Sequence, residues 1–129
     1  MLKLIKKLLE ANALLIALSI TILIAFLSIA NLGKIVPEYL LISDKLNHAI
    51  AYFFMALSWI YAFQKKKLHF LKEIYIAILC ILFGIFMEFL QWGVNSYRTA
   101  SYLDVLANSF GVLIAYLTFY FFQKKNQVF

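Results

Sequence analysis

Four apolar runs, each close to the length that crosses a bilayer, take up most of this chain. The first is Asn12 to Ala30, with Ala13-Leu14-Leu15-Ile16-Ala17-Leu18 and Ile22-Leu23-Ile24-Ala25-Phe26-Leu27 at its centre. The second is Ala49 to Phe63, the third Ile74 to Trp92 and the fourth Tyr102 to Phe122. A spanning helix needs about 20 predominantly apolar residues. The second run reaches that length with its polar lead-in Asp44-Lys45-Leu46-Asn47-His48. The pattern predicts membrane helices over about 11–30, 45–64, 74–92 and 102–122. Hydrophobic residues make up 65% of the 129, against the roughly 45–50% of soluble domains, and a soluble chain this small could not bury them. The expectation is a single all-α domain over 1–129, an integral membrane four-helix bundle.

Punctuation between the runs supports these limits. Gly33 and Pro37, the only proline, lie in the stretch Asn31 to Ser43 and disfavour helix there. Ser28-Ile29-Ala30 loosely resembles a signal-peptidase site. The run before it exceeds the roughly 7–15 residues of a signal h-region, so it reads as a retained first helix.

Charge sets the orientation. The net charge is +6, and the cations are clustered. Lys3, Lys6 and Lys7 precede the first run, Lys65, Lys66, Lys67 and Lys72 follow the second, and Lys124 and Lys125 close the chain. In a four-span topology these share one side, and only Lys34, Lys45 and Arg98 lie on the other. The positive-inside rule then predicts both termini in the cytoplasm. The lysines flank apolar runs rather than forming one basic stripe, which argues against a nucleic-acid partner. They read as topology anchors, with affinity for anionic lipid as a secondary role. Trp59, Tyr61, Tyr75 and Tyr120 are expected as an aromatic belt on the lysine-rich side, and Tyr39, Trp92, Tyr97 and Tyr102 as one on the far side. Cys80, alone in an apolar run, reads as a packing residue.

Polar side chains collect just inside the apolar runs at the far side. Asp44 and His48 are four apart, Glu88 and Gln91 three apart, and Asp104 and Asn108 four apart, so each pair shares a helix face. Ionisable groups in a membrane are costly and mark candidate sites. Arg98, the only arginine, sits in the turn between the two carboxylate-bearing helices and suits a bidentate carboxylate or phosphate contact. Plainer roles are open for several of them. Ser101-x-x-Asp104 fits a capping box, Asp44 a helix cap, Gln91 and Asn108 interhelical hydrogen bonds, and His48 a packing histidine. Glu88 lies a full turn before its helix end, where no cap is needed. Gly84 and Gly111, with Ala77, Ala107 and Ala115, are expected to let the third and fourth helices pack closely.

At these residues the chain resembles the VanZ-like family of small bacterial membrane proteins. The resemblance rests on Asp44-Lys45-x-x-His48, Glu88-x-x-Gln91, Arg98, Ser101, Asp104-x-x-x-Asn108 and Gly111, over roughly residues 40 to 120. Gly93-Val94-Asn95-Ser96-Tyr97 before Arg98 lacks the proline of many members. The resemblance implies an envelope protein of the type named for lowered teicoplanin (glycopeptide) susceptibility. It carries the family motif onto Asp44, Lys45, His48, Glu88, Gln91, Arg98, Asp104 and Asn108 as ligand-binding residues. The first reading is a non-enzymatic protein that binds a lipid-linked cell-wall precursor or other anionic ligand, with membrane lipids around it. The alternative is a membrane enzyme acting on a lipid headgroup or isoprenoid, with Glu88, His48 and Asp104 as acid–base candidates. A transporter ranks last, because the polar groups stay at one face. Neither a cofactor nor a resident metal is expected, since the ligand spacings are not diagnostic.

Overall fold

The computed structural model describes residues 1–29, 44–65, 73–94 and 102–128. These form five helices: α1 (Leu2–Ala11), α2 (Ala13–Ile29), α3 (Asp44–Lys65), α4 (Glu73–Val94) and α5 (Tyr102–Val128), with no strand among the described residues. Three segments are long and apolar enough to cross a membrane: Leu46–Gln64, Glu73–Gln91 and Tyr102–Phe122. The α1–α2 pair passes the same test jointly but is bent by 70°, so the chain has three such spans, or four if the bent pair counts as one. The chain is thus a multi-pass membrane protein of all-helical build.

The bend sits at Asn12. Its side-chain Nδ2 and its backbone N–H both donate to the carbonyl of Leu8, at 2.9 and 3.1 Å. Its own carbonyl accepts from Ile16 N–H at 2.9 Å and so opens α2. One residue ends a helix and starts the next, as asparagine is suited to do. The segment Met1 to Glu10, read from the sequence only as a basic lead-in, is therefore a helix in its own right.

Helices α2 to α5 pack on small and medium side chains. Tyr52, Met55, Ala56 and Ile60 of α3 meet Ile76, Ala77 and Cys80 of α4, Val112 and Ala115 of α5, and Ile24 of α2. A second contact seats Ala13 and Ala17 of α2 on Ala62 of α3. Large apolar residues such as Leu82, Phe86, Phe89, Leu106, Phe110 and Leu113 are exposed around the outside. On a water-soluble protein such a surface would be an aggregation liability, whereas hydrocarbon suits it.

Two expectations change here. Gly111 serves the α3–α5 contact rather than the α4–α5 one. A methyl group at Gly111 would collide with the Ala49 carbonyl oxygen and stand 2.9 Å from the Ala49 carbonyl carbon. Trp59 does not join a lipid-facing belt. It turns into α2, where its indole Nε1 donates to Thr21 Oγ1 at 2.7 Å, and that hydroxyl donates to the Ala17 carbonyl at 2.8 Å. Tyr75 and Tyr120 are exposed as a belt requires, whereas Tyr61 is half-buried. Tyr102 is exposed at the other end, Tyr39 and Tyr97 lie outside the described residues, and the Trp92 side chain is not among those described.

Gly111→Ala should destabilise the protein by at least the roughly 1–3 kcal/mol typical of overpacking, because backbone rather than a flexible side chain would have to yield. Gly93, with nothing within 4 Å of an added methyl, is the control. Unfolding free energies of Gly111→Ala and Gly93→Ala in mixed micelles check this, and equal stability of the two would contradict it.

Candidate functional site

The buried stripes of α4 and α5 turn from apolar to polar at the same end of the molecule. On α4 the stripe runs Ile76, Ala77, Cys80 and then Glu88 and Gln91. On α5 it runs the other way, Asp104 and Asn108 first, then Val112 and Ala115. These positions recur at three- and four-residue steps, so each set lies on one helix face. Glu88 is 6% exposed, Gln91 4%, Asp104 6% and Asn108 3%. His48, on the first turns of α3, is half-buried beside them.

Two interhelical hydrogen bonds fix this layer. His48 Nδ1 lies 3.0 Å from Asn108 Oδ1. An amide oxygen only accepts, so in this bond His48 Nδ1–H is the donor. Gln91 Nε2 donates to the Ser28 carbonyl at 2.7 Å. Ser28 is in the last turn of α2, where carbonyls have no partner within their own helix. Gln91 thus satisfies the end of α2 from α4. Neither Glu88 nor Asp104 is without a partner. No buried side-chain nitrogen or oxygen among the described residues lacks one.

Of the residues singled out in the sequence, His48, Glu88, Gln91, Asp104 and Asn108 come together in this layer. Asp44 and Lys45 open α3, but their side chains are not among those described. Arg98 and Ser101 lie outside the described residues. Asp104 falls in the first turn of α5, where its charge complements the helix dipole, and it is also buried toward the other helices. Gly84 and Ser28 also shape the layer. A methyl at Gly84 would stand 3.1 Å from the Tyr52 ring edge and 3.2 Å from Asn108 Nδ2, so the glycine makes room for both. Ser28 takes part through its carbonyl, which no side-chain pattern could announce. Among the described residues no three His, Cys, Asp or Glu groups are placed to hold a metal ion.

The His48–Asn108 bond should carry measurable coupling. In a cycle of His48→Ala, Asn108→Ala and the double variant, the interaction energy is expected near the roughly 0.6 kcal/mol average for interhelical bonds in membranes, with about 1.7 as the upper range. Additive single effects would show that the contact is incidental.

A family model described as VanZ/LLP1 matches residues 7–123, nearly the whole chain. No curated protein and no solved structure matches.

Proposed function

The chain belongs to the VanZ/LLP1 family, and from that membership we propose that it is a non-enzymatic envelope protein that holds the headgroup of a lipid-linked or anionic ligand. In this reading four spans place both termini in the cytoplasm of a bacterial inner membrane, and the polar layer faces outward. The observation that carries it is the burial of Glu88, Gln91, Asp104 and Asn108 on two helices at one end, joined by His48. Groups this costly in hydrocarbon are retained where they line a path or a site. They form the floor of the headgroup site. In this reading Arg98 and Lys45, the cations nearest these residues in sequence, meet the ligand's charge, and the planar fork of Arg98 suits a phosphate. A protein that sequesters or screens a cell-wall precursor on the outer leaflet lowers susceptibility to teicoplanin-type glycopeptides, which act at the same face.

The grouping of two carboxylates with an imidazole supports a second reading, acid–base chemistry on a lipid headgroup with Glu88, His48 and Asp104. One experiment separates the two. Lipids co-purifying with wild type, Arg98→Ala and Glu88→Gln are compared by mass spectrometry, and the purified proteins are assayed for headgroup turnover. The binding reading expects one lipid class to be depleted in Arg98→Ala, with no turnover by wild type. An unchanged lipid profile in Arg98→Ala would sink it. Turnover by wild type that Glu88→Gln abolishes, with lipid retention intact, would establish the enzyme instead. In cells, a deletion strain complemented with Arg98→Ala should remain as teicoplanin-susceptible as the deletion.

A further inference from the structure

At the end of the molecule opposite the polar layer, a groove of about 780 Å³ opens between α2, α3 and α5. Its walls include Ile16, Ile20, Leu57 and Phe119, and Lys6 and Leu9 of α1 stand on its rim. The volume lies within the roughly 300–1,000 Å³ of small-molecule sites. The walls are mainly apolar, with Ser58, Tyr61, Gln64 and Thr118 as the polar positions, so an acyl chain suits them better than a soluble ligand.

α1 supplies the other half of the argument. None of its residues is buried. At about 100° per residue, Lys3, Lys6, Lys7 and Glu10 fall on one arc, and Leu2, Leu4, Ile5, Leu8 and Leu9 on the other. An isolated helix of this length is marginal in water, and its exposed leucines need an apolar partner. The 70° bend carries α1 across the axis of α2 instead of along it. With α2 near the membrane normal, α1 would lie close to the membrane surface, leucines toward the acyl region and lysines toward the headgroups. Lys6 lies at the border of the two arcs, so its ammonium sits at headgroup level where the groove begins.

We propose that the groove binds one anionic phospholipid of the lysine-rich leaflet, with an acyl chain along Ile16, Ile20, Leu57 and Phe119 and its phosphate on Lys6. Charge complementarity selects an anionic headgroup, and the apolar walls select a chain rather than a soluble anion. This site shares no residue with the polar layer and does not rest on the function proposed above.

Native mass spectrometry of the full chain in detergent, titrated with dioleoyl-phosphatidylglycerol and with dioleoyl-phosphatidylcholine, tests it. Wild type should retain one phosphatidylglycerol per chain with about fivefold preference over phosphatidylcholine, the worth of one well-placed lysine. Lys6→Gln should erase that preference. Lys3→Gln, on the same arc but away from the rim, should keep most of it. Leu57→Trp fills the groove and should abolish retention of both lipids. Equal losses in Lys3→Gln and Lys6→Gln would reduce the effect to diffuse attraction and overturn the site. Unchanged retention in Leu57→Trp would remove the acyl chain from the groove. A wild-type dimer that Leu57→Trp converts to monomer, with lipid retention unaltered, would assign the groove to a second copy of the chain. Lys6 is exposed, so the charge comparison remains decisive even if Leu57→Trp fails to fold.

Discussion

Helices in hydrocarbon gain nothing from hiding apolar surface from one another, so close packing has to hold them together. In this protein that packing depends on the approach of α3 to α5, where Gly111 faces the Ala49 carbonyl with no room for a side chain. The position of the contact matters as much as its tightness. His48 precedes Ala49 by one residue, and Asn108 precedes Gly111 by three, on the same face of α5. The approach that brings the two backbones together therefore also brings the imidazole to the amide at 3.0 Å. Gly84 repeats the device from α4, with its missing side chain leaving space for Asn108 and Tyr52. Small residues in this chain are placed where polar ones need to meet.

The polar layer is selected by face and not only by depth. Glu88 is buried, yet its neighbour Phe89 is 60% exposed at essentially the same height. On α5, Asn108 is buried while Leu106 and Phe110 are exposed on either side. Proximity to the headgroup region would have allowed polar residues on the lipid-facing positions too. Among the described residues, Phe86, Phe89, Leu103, Leu106 and Phe110 take the exposed positions there instead, so the layer is an interior feature that costs free energy unless complete. The bond from Gln91 to the Ser28 carbonyl shows how completion is reached, because a side chain on one helix closes the frayed end of another.

Much of this was legible in the sequence, because run length and hydropathy decide where helices form in a membrane. The segments expected over 45–64, 74–92 and 102–122 correspond to α3, α4 and α5, which extend up to six residues further at their ends. The shared faces of Glu88 with Gln91 and of Asp104 with Asn108 followed from their spacing. Partners were not legible, since hydropathy carries no information about how a helix is rotated toward its neighbours. Gly111 was assigned to the wrong pair for that reason, and nothing local linked His48 to a residue sixty positions away. Trp59 looked like an interfacial tryptophan until Thr21 supplied its acceptor. In the first ten residues Lys3, Lys6 and Lys7 alternate with Leu2, Leu4, Ile5, Leu8 and Leu9 at helical period.

That alternation explains why the chain bends at Asn12. A straight continuation of α2 through residues 2–11 would carry Leu2, Leu4, Ile5, Leu8 and Leu9 beyond the hydrocarbon into water. Sliding the whole helix inward would instead drag Lys3, Lys6 and Lys7 into the acyl region, where each charge is costly. α2 itself has 17 residues, about 25 Å at about 1.5 Å per residue, which is near the lower limit for a span. It has no length to spare for burying lysines. With α2 spanning the bilayer, a turn of 70° would satisfy both arcs of α1 at once, and Ala13 and Ala17 seat on Ala62 directly after the bend, beside the groove that Lys6 helps to line.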